Sequence, residues 1–285
     1  LDLRSRALEA NVMKNKWAIM LLLALILMSS GTLVIADEPA PKDPPAEKVA
    51  IPVVVQPNDI RNYKLSVGIK GCVGIMDSTP MIVDALNTMR IRHQYGKREG
   101  DGLLLLDISA RDVQVTVNGE KVPTGADRFP KLTLLLDKSW NISKVFGAER
   151  ASEGQVPGLN YSTLIMLFFI PDGDKPHTIG ETWASKVKAL AKPDEVTVKS
   201  TIRSVTETNE NRRVSVHQEF AWPEQKLDGG RSVRSTAVVD SVFDLATGKL
   251  LKSNAECQLP FSDPSQPKPE NQNYKATTKI DLSLE

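Results

Sequence analysis

The chain has 285 residues, 25% of them charged and 41% hydrophobic, with a formal net charge of +1. So balanced a composition offers no large unbalanced field to attract nucleic acid or an anionic surface, and no nucleic-acid partner is expected. Two cysteines and three histidines leave little material for a metal or redox centre.

Residues Leu1 to Val12 show no sustained periodicity and read as an upstream extension of the frame, with Met13 as the expected start. From Met13 the chain reads as a secretory signal: a basic start (Lys14, Lys16), an apolar run from Trp17 to Met28, then small residues and a plausible cut after Ala36. An uncleaved anchor is the competing expectation, because the stretch from Trp17 to Ala36 is close to the roughly 20 residues that span a bilayer. Either way, the two lysines direct everything after residue 36 across the membrane, so a periplasmic or extracellular location is expected. No cysteine sits near the cut, so lipid attachment is not expected.

Residues 37–57 carry Pro39, Pro41, Pro44, Pro45, Pro52 and Pro57 among charged residues and read as a disordered linker. The remaining 58–285 are long enough for one β-rich domain with a real core.

Alternation of period two dominates that domain. Met89, Ile91, His93 and Tyr95 alternate with Arg90, Arg92 and Gln94, and Val113, Val115 and Val117 with Asp112, Gln114 and Thr116. Near the end, Thr278, Ile280, Leu282 and Leu284 alternate with Lys279, Asp281 and Ser283. Such segments are antiparallel strands with one wet face. Turn signals separate them, among them Gly96 to Gly102, Asn118-Gly119, Thr208 to Asn211, Asp228 to Gly230 and Thr247-Gly248.

An internal repeat emerges at an offset of 107 residues, the spacing between Asp137 and Asp244. Each aspartate closes a strand and opens a turn, with a residue tolerant of positive φ (Asn141 or Gly248) on the far side and a returning strand beyond. The same offset lays Thr88 to Gly96 on Glu195 to Arg203, which suggests duplicated units over roughly 80–147 and 183–260. Between them, Gly158 to Ile170 is apolar almost all round and ends before Pro171, which predicts a short buried helix with Asn160 or Ser162 as N-cap. The expected fold is therefore mainly β with a small α contribution: a curved antiparallel sheet or half-barrel, built from a duplicated β-meander, with one apolar helix packed on it.

Chemistry is sparse. Cys72 and Cys257 form an even pair in an exported chain, so a disulfide between them is the expectation, with two buried thiols as the alternative. His93 falls on the apolar face of its strand, His177 in the loop after Pro171, and His217 on a polar face, with no spacing that links them. No metalloprotease, nucleophile-elbow or Walker motif is present. Gly68 to Gly74 reads as a bent strand, and Asp172-Gly173-Asp174 as a turn that lacks the other oxygen ligands of a calcium loop. Asn141-Ile142-Ser143 and Asn160-Tyr161-Ser162 match glycosylation acceptors. Trp140, Trp183 and Trp222 could stack on a sugar but read better as packing residues. No metal, cofactor or catalytic residue is assigned.

Two pieces carry a resemblance. Ile170-Pro171 leads through Lys175 to His177-Thr178-Ile179-Gly180-Glu181-Thr182-Trp183, and Phe243-Asp244 leads through Thr247-Gly248-Lys249 to Leu250. They resemble the Val/Ile-Gly-Asp/Glu-Ser/Thr-Trp element and a recurring hairpin of uncharacterised exported bacterial β-rich proteins of unknown function. The match covers roughly 60–260, with His177 where that pattern implies an apolar residue. A sheet cupping a helix is also similar in architecture to lipoprotein-carrier folds, an analogy that implies no activity by itself. The leading expectation is a non-catalytic exported protein that binds an apolar, lipid-like ligand or an envelope partner. The alternatives are a rigid interaction module without a small ligand, and a secreted hydrolase that would need convergence of carboxylates such as Asp107, Asp112, Glu207 or Glu219.

Overall fold

The computed structural model describes residues 47–52, 54–73, 81–98, 100, 102–124, 129, 131–139, 141–147, 167–188, 195–208, 211–226, 232–260 and 275–285. The signal region, residues 37–46 of the linker, Trp140 and Asn160 lie outside them. Among the described residues the secondary structure is all strand, and no helix is long and apolar enough to cross a membrane.

In chain order the strands are β1 (Lys48–Val49), β2 (Ile60–Val73), β3 (Met81–Arg98), β4 (Leu104–Val117), β5 (Glu120–Val122), β6 (Leu132–Leu136), β7 (Ile142–Phe146) and β8 (His177–Thr178). They continue with β9 (Thr182–Lys188), β10 (Glu195–Thr208), β11 (Asn211–Ala221), β12 (Gln225–Lys226), β13 (Ser232–Val233), β14 (Thr236–Asp244), β15 (Leu250–Pro260) and β16 (Lys275–Leu284). A 12-stranded antiparallel sheet in the order β7-β6-β4-β3-β2-β16-β15-β14-β11-β10-β9, with β5 paired to β4, forms a nearly closed, barrel-like wall.

Why these residues form that wall follows from their alternation, because residues two apart share a face. Cross-strand register carries one inner-face row through Asn87, Val67, Ile280, Ala255, Val239, Gln218, Ser200 and Trp183. Neighbouring rows are largely apolar, with Ser241, Ser253 and Thr278 as buried polar members: Leu65, Leu106, Leu134, Val198, Val214, Val216 and Leu282 are at most 2% exposed. The outer face is charged and wet, with pairs such as Lys70 and Asp84 at 3.0 Å and Lys186 and Glu195 at 3.2 Å. Exposed pairs of that kind contribute little stability, so the inner face holds the fold.

Sheet order places β3, β4, β6 and β7 in the same succession as β10, β11, β14 and β15, with β16 between the two sets beside β2. Irregularities recur at the 107-residue offset. The β6–β7 ladder shifts register between Leu135 and Leu136, and the β14–β15 ladder between Val242 and Phe243. On β3 a shift begins at Tyr95, and on β10 one begins at Ile202, again 107 residues apart. Bulges turn and twist a strand. Corresponding bulges therefore bend both halves of the wall at corresponding places.

One expectation needs correction and another is not confirmed. The linker over 37–57 is not disordered to its end: β1 pairs antiparallel with β8, Ile51 donates its backbone N–H to Gly173 O at 2.7 Å, and Val49 and Ile51 are buried. The prolines of this segment leave Val49 and Ile51 free to dock their apolar side chains, and both are buried. The helix expected over 158–170 is not confirmed: Leu167 and Phe168 lie in a turn, Phe169 and Ile170 are irregular, and 158–166 lie outside the described residues. A fully buried irregular strap and a buried helix share one signature, apolar on all sides. The backbone of this strap is satisfied by other means, since Gln218 Nε2 donates to Phe169 O at 3.1 Å and Gly173 N to Ile170 O at 3.2 Å.

Candidate functional site

The strap from Leu167 to Ile170 packs against the inner face of the wall. All four of its side chains are buried, and beside them remains a cavity of about 30 Å³ lined by Arg61, Tyr63, His93, Tyr95, Phe243 and Leu250 among others. That space suits one water molecule, not a lipid. A larger occupant of this cavity would have to move Phe168, Phe169 and Ile170 of the strap or the wall residues facing them.

The strap continues into a turn whose fastening explains the first of the two motifs. Trp183 Nε1 donates to Pro171 O at 3.0 Å, and Ser185 Oγ donates to Asp172 Oδ2 at 2.7 Å, which ties the turn to β9. Asp172 N donates to Ser139 O at 3.2 Å, which ties it to the loop between β6 and β7. The turn thus reaches toward both ends of the sheet path. Burial opposes ionisation of Asp172, but hydrogen bonds from Lys175 and Ser185 hold its carboxyl below the ordinary range. His177 stacks on Trp183, ring centroids 3.7 Å apart and planes within 8°, and its Nε2 lies 3.1 Å from Asp172 O. Glu181 accepts from Thr178 N at 2.7 Å, and Gly180 takes φ +86°, a turn geometry that favours glycine. The Ile-Gly-Glu-Thr-Trp element is thus a clasp, and His177 serves it as a flat stacking partner.

Polar groups face the interior without partners. Among the described residues, Arg61 Nε, both amide atoms of Asn87, Gln218 Oε1 and Thr278 Oγ1 are buried and make no hydrogen bond. Arg61 is only 4% exposed, and no carboxylate lies within ion-pair distance of it among the described residues. Its Nη2 donates to Val54 O at 3.0 Å, and its guanidinium sits 4.9 Å above the Tyr95 ring centroid. Cross-strand register sets Arg61 opposite His93, whose ring is 4.9 Å from that of Tyr63. Burial first, and the Arg61 charge second, push His93 down to about 3. Burial raises both Tyr63 and Tyr95, so both phenols keep their protons at neutral pH.

The remaining candidates stay apart. His217 is on the outer wall, with Nδ1 2.8 Å from Asp240 and Nε2 3.8 Å from Glu219. Asp107 accepts from Thr133 and pairs with Lys131, Asp112 pairs with Arg90, and Glu207 with Arg212, so each carboxylate has its own outer-face partner. Trp222 is half-buried and stacks near Phe220 with centroids 6.1 Å apart, a packing contact. Asn141 Nδ2 is engaged by Asp137 Oδ2 at 3.1 Å. Cys257 is a buried free thiol whose pKa is pushed up to about 12, by burial first and Glu256 second. On the backbone, Cys257 pairs with Thr278 and Thr278 with Ile69, so β16 lies between the strands that carry Cys257 and Cys72. Arg61 was not singled out by sequence. The available signal was a charged residue in register with Tyr63, Leu65, Val67 and Ile69 on the apolar face of β2.

No family model matches the chain, and no curated protein matches it. Among solved structures it is similar to lipovitellin at 11% identity, over 81% of this chain and 25% of that one, with a TM-score of 0.49. It is also similar to DynF of the dynemicin biosynthesis pathway of Micromonospora chersina, at 8% identity over 85% and 86% of the two chains, TM-score 0.21. A LolA superfamily protein from Nitrosomonas europaea is 11% identical over 81% and 86%, TM-score 0.12. The chain spans about a quarter of the lipovitellin chain it matches.

Proposed function

We propose that this is an exported, non-catalytic binding protein whose barrel interior takes an apolar, lipid-like ligand in exchange for the strap at Leu167–Ile170. The observation that carries the reading is how the interior is filled. Among the described residues, a largely apolar wall is covered by a strap that contributes no strand to the sheet and depends on a few side-chain fastenings. Removing the strap would expose Phe168, Phe169 and the wall opposite, a surface that needs an apolar replacement. Export rests on the signal-like sequence before residue 37. The absence of catalysis is part of the proposal, supported by the separate pairing of Asp107, Asp112 and Glu207.

The small size of the cavity favours a second reading, a rigid module that binds an envelope partner and keeps its strap in place. Native mass spectrometry of exported residues 37–285, with solvent extraction of the same preparation, separates the two. A stoichiometric bound lipid that is lost in Phe169→Asp supports the binding protein. A clean protein mass that stays unchanged on incubation with lipid vesicles, while the strap remains protected from hydrogen exchange, overturns it in favour of the rigid module.

A further inference from the structure

The buried end of the cavity has a chemical character that the apolar wall alone does not explain. Arg61 brings a full positive charge into a site where only 4% of the residue is exposed, and its Nε lacks a partner. A buried charge without a counter-ion is costly, and such a group is ordinarily paired with an anion. Among the described residues no carboxylate lies within ion-pair distance of it, and the nearby Asp59 acts on Tyr95 instead. Val54 supplies one carbonyl to Nη2, Tyr95 an aromatic face, and His93 an uncharged ring. Tyr63 and Tyr95 add two phenols that hold their protons and hydrogen-bond with the Arg61 side chain. The rest of the lining is largely apolar, with Ile51, Phe168, Phe169, Ile170 and Leu250.

We propose that Arg61 is the receptor for the carboxylate of a single-chain anionic amphiphile of the fatty-acid class, whose hydrocarbon tail takes the place of Phe168 and Phe169. One guanidinium with neighbouring phenols matches one carboxylate, since arginine presents several N–H donors in a planar fork suited to that group. A phosphate monoester would bring a second negative charge that no other cation in this lining balances. The inference rests on the binding reading above and adds the head-group chemistry to it.

The test compares two ligands of equal chain length, oleate and oleyl alcohol, titrated calorimetrically below their aggregation concentrations into the delipidated full chain. Wild-type protein binds oleate at least tenfold more tightly than the alcohol, a preference within the range expected for one charge-assisted contact in a dry site. Arg61→Gln abolishes the preference by weakening oleate binding, while alcohol binding persists. Equal affinity of the two ligands for wild-type protein overturns the head-group assignment and leaves the binding function standing. A preference for oleate that survives in Arg61→Gln also overturns it, because the charge that selects the acid then lies elsewhere. If neither ligand binds, the apolar-ligand reading fails and this inference falls with it. Should Arg61→Gln fail to fold, Arg61→Lys replaces it: a retained acid preference with weaker binding supports the assignment, and unchanged oleate affinity overturns it.

Discussion

His93 illustrates how a buried side chain becomes a pH-dependent contribution to stability. Its ordinary value is 6.5 and its folded value about 3, so between those limits the unfolded chain binds a proton that the folded chain refuses. The contribution of His93 is complete above pH 6.5 and is lost progressively as the pH falls toward 3, with a slope of at most about 1.4 kcal/mol per pH unit. His93→Phe keeps a ring beside Tyr63 and removes the titration. Urea unfolding between pH 7 and pH 4 is expected to show a shallower acid decline in this variant, by close to one proton in slope. An unchanged slope would assign the acid sensitivity to other groups. Cys257 gives a second test at the same scale. Its thiol is free, buried and hard to ionise, so in the unreduced native protein it is expected to resist iodoacetamide at pH 8 and to react once the chain is unfolded in urea. Peptide mapping that finds Cys257 unreactive until reductant is added would instead establish the disulfide with Cys72 that the even cysteine count suggests.

At the scale of elements, the two aspartate turns are the clearest link from sequence to structure. Asp137 accepts from Ser139 N and Asn141 N, both at 2.8 Å, and Asp244 accepts from Thr247 N at 2.8 Å and Thr247 Oγ1 at 2.6 Å. Each aspartate also donates its own backbone N–H across the turn, to Asn141 O at 3.0 Å and Lys249 O at 2.9 Å. Gly248 takes φ +61° as the pattern implies, whereas Asn141 is held through Asp137 without the left-handed conformation. Asp137→Ala and Asp244→Ala should each cost about 1 to 3 kcal/mol, the scale for backbone donors losing a charged acceptor. Because the turns belong to opposite halves of the wall, the double variant should lose close to the sum of the two. Denaturant titration of the four proteins reads this directly. A negligible effect at either site would mean that solvent replaces the carboxylate there.

Much of this was legible in the sequence for a physical reason: alternation of period two places Met89, Ile91, His93 and Tyr95 on the inner face whatever the neighbouring strands do. The strap was legible as buried but not as irregular, because apolar residues on every side mark burial and leave the backbone path open. Arg61 was hidden for the opposite reason, since a charged residue near the start of a strand ordinarily faces water. The way the sheet closes was also hidden: the motif from Pro171 to Trp183 marks the clasp, but the contact of Asp172 with Ser139 joins segments 33 residues apart that no local pattern links.

On the scale of the whole molecule, the position of β16 governs whether the two meanders behave as one body. It pairs with β15 on one side and β2 on the other, and in the sheet path it alone joins the set ending at β2 to the set beginning at β15. Its inner residues Thr278, Ile280 and Leu282 complete rows that cross the junction. A chain that stops at residue 270 would leave β2 and β15 as two long unpaired edges, the kind of edge that templates pairing with other chains. Hydrophobic burial would be lost on both sides of the gap, about 1.5 to 3 kcal/mol for each large apolar side chain exposed, and total domain stability is only about 5 to 15 kcal/mol. The truncated protein is therefore expected to aggregate on size exclusion and to lose the single cooperative urea transition of the full chain. If it stays monomeric and unfolds in one transition at an unchanged midpoint, β16 is a decoration on a wall that closes without it. If it shows two separate transitions, each meander is a folding unit of its own and β16 is the strand that makes them one.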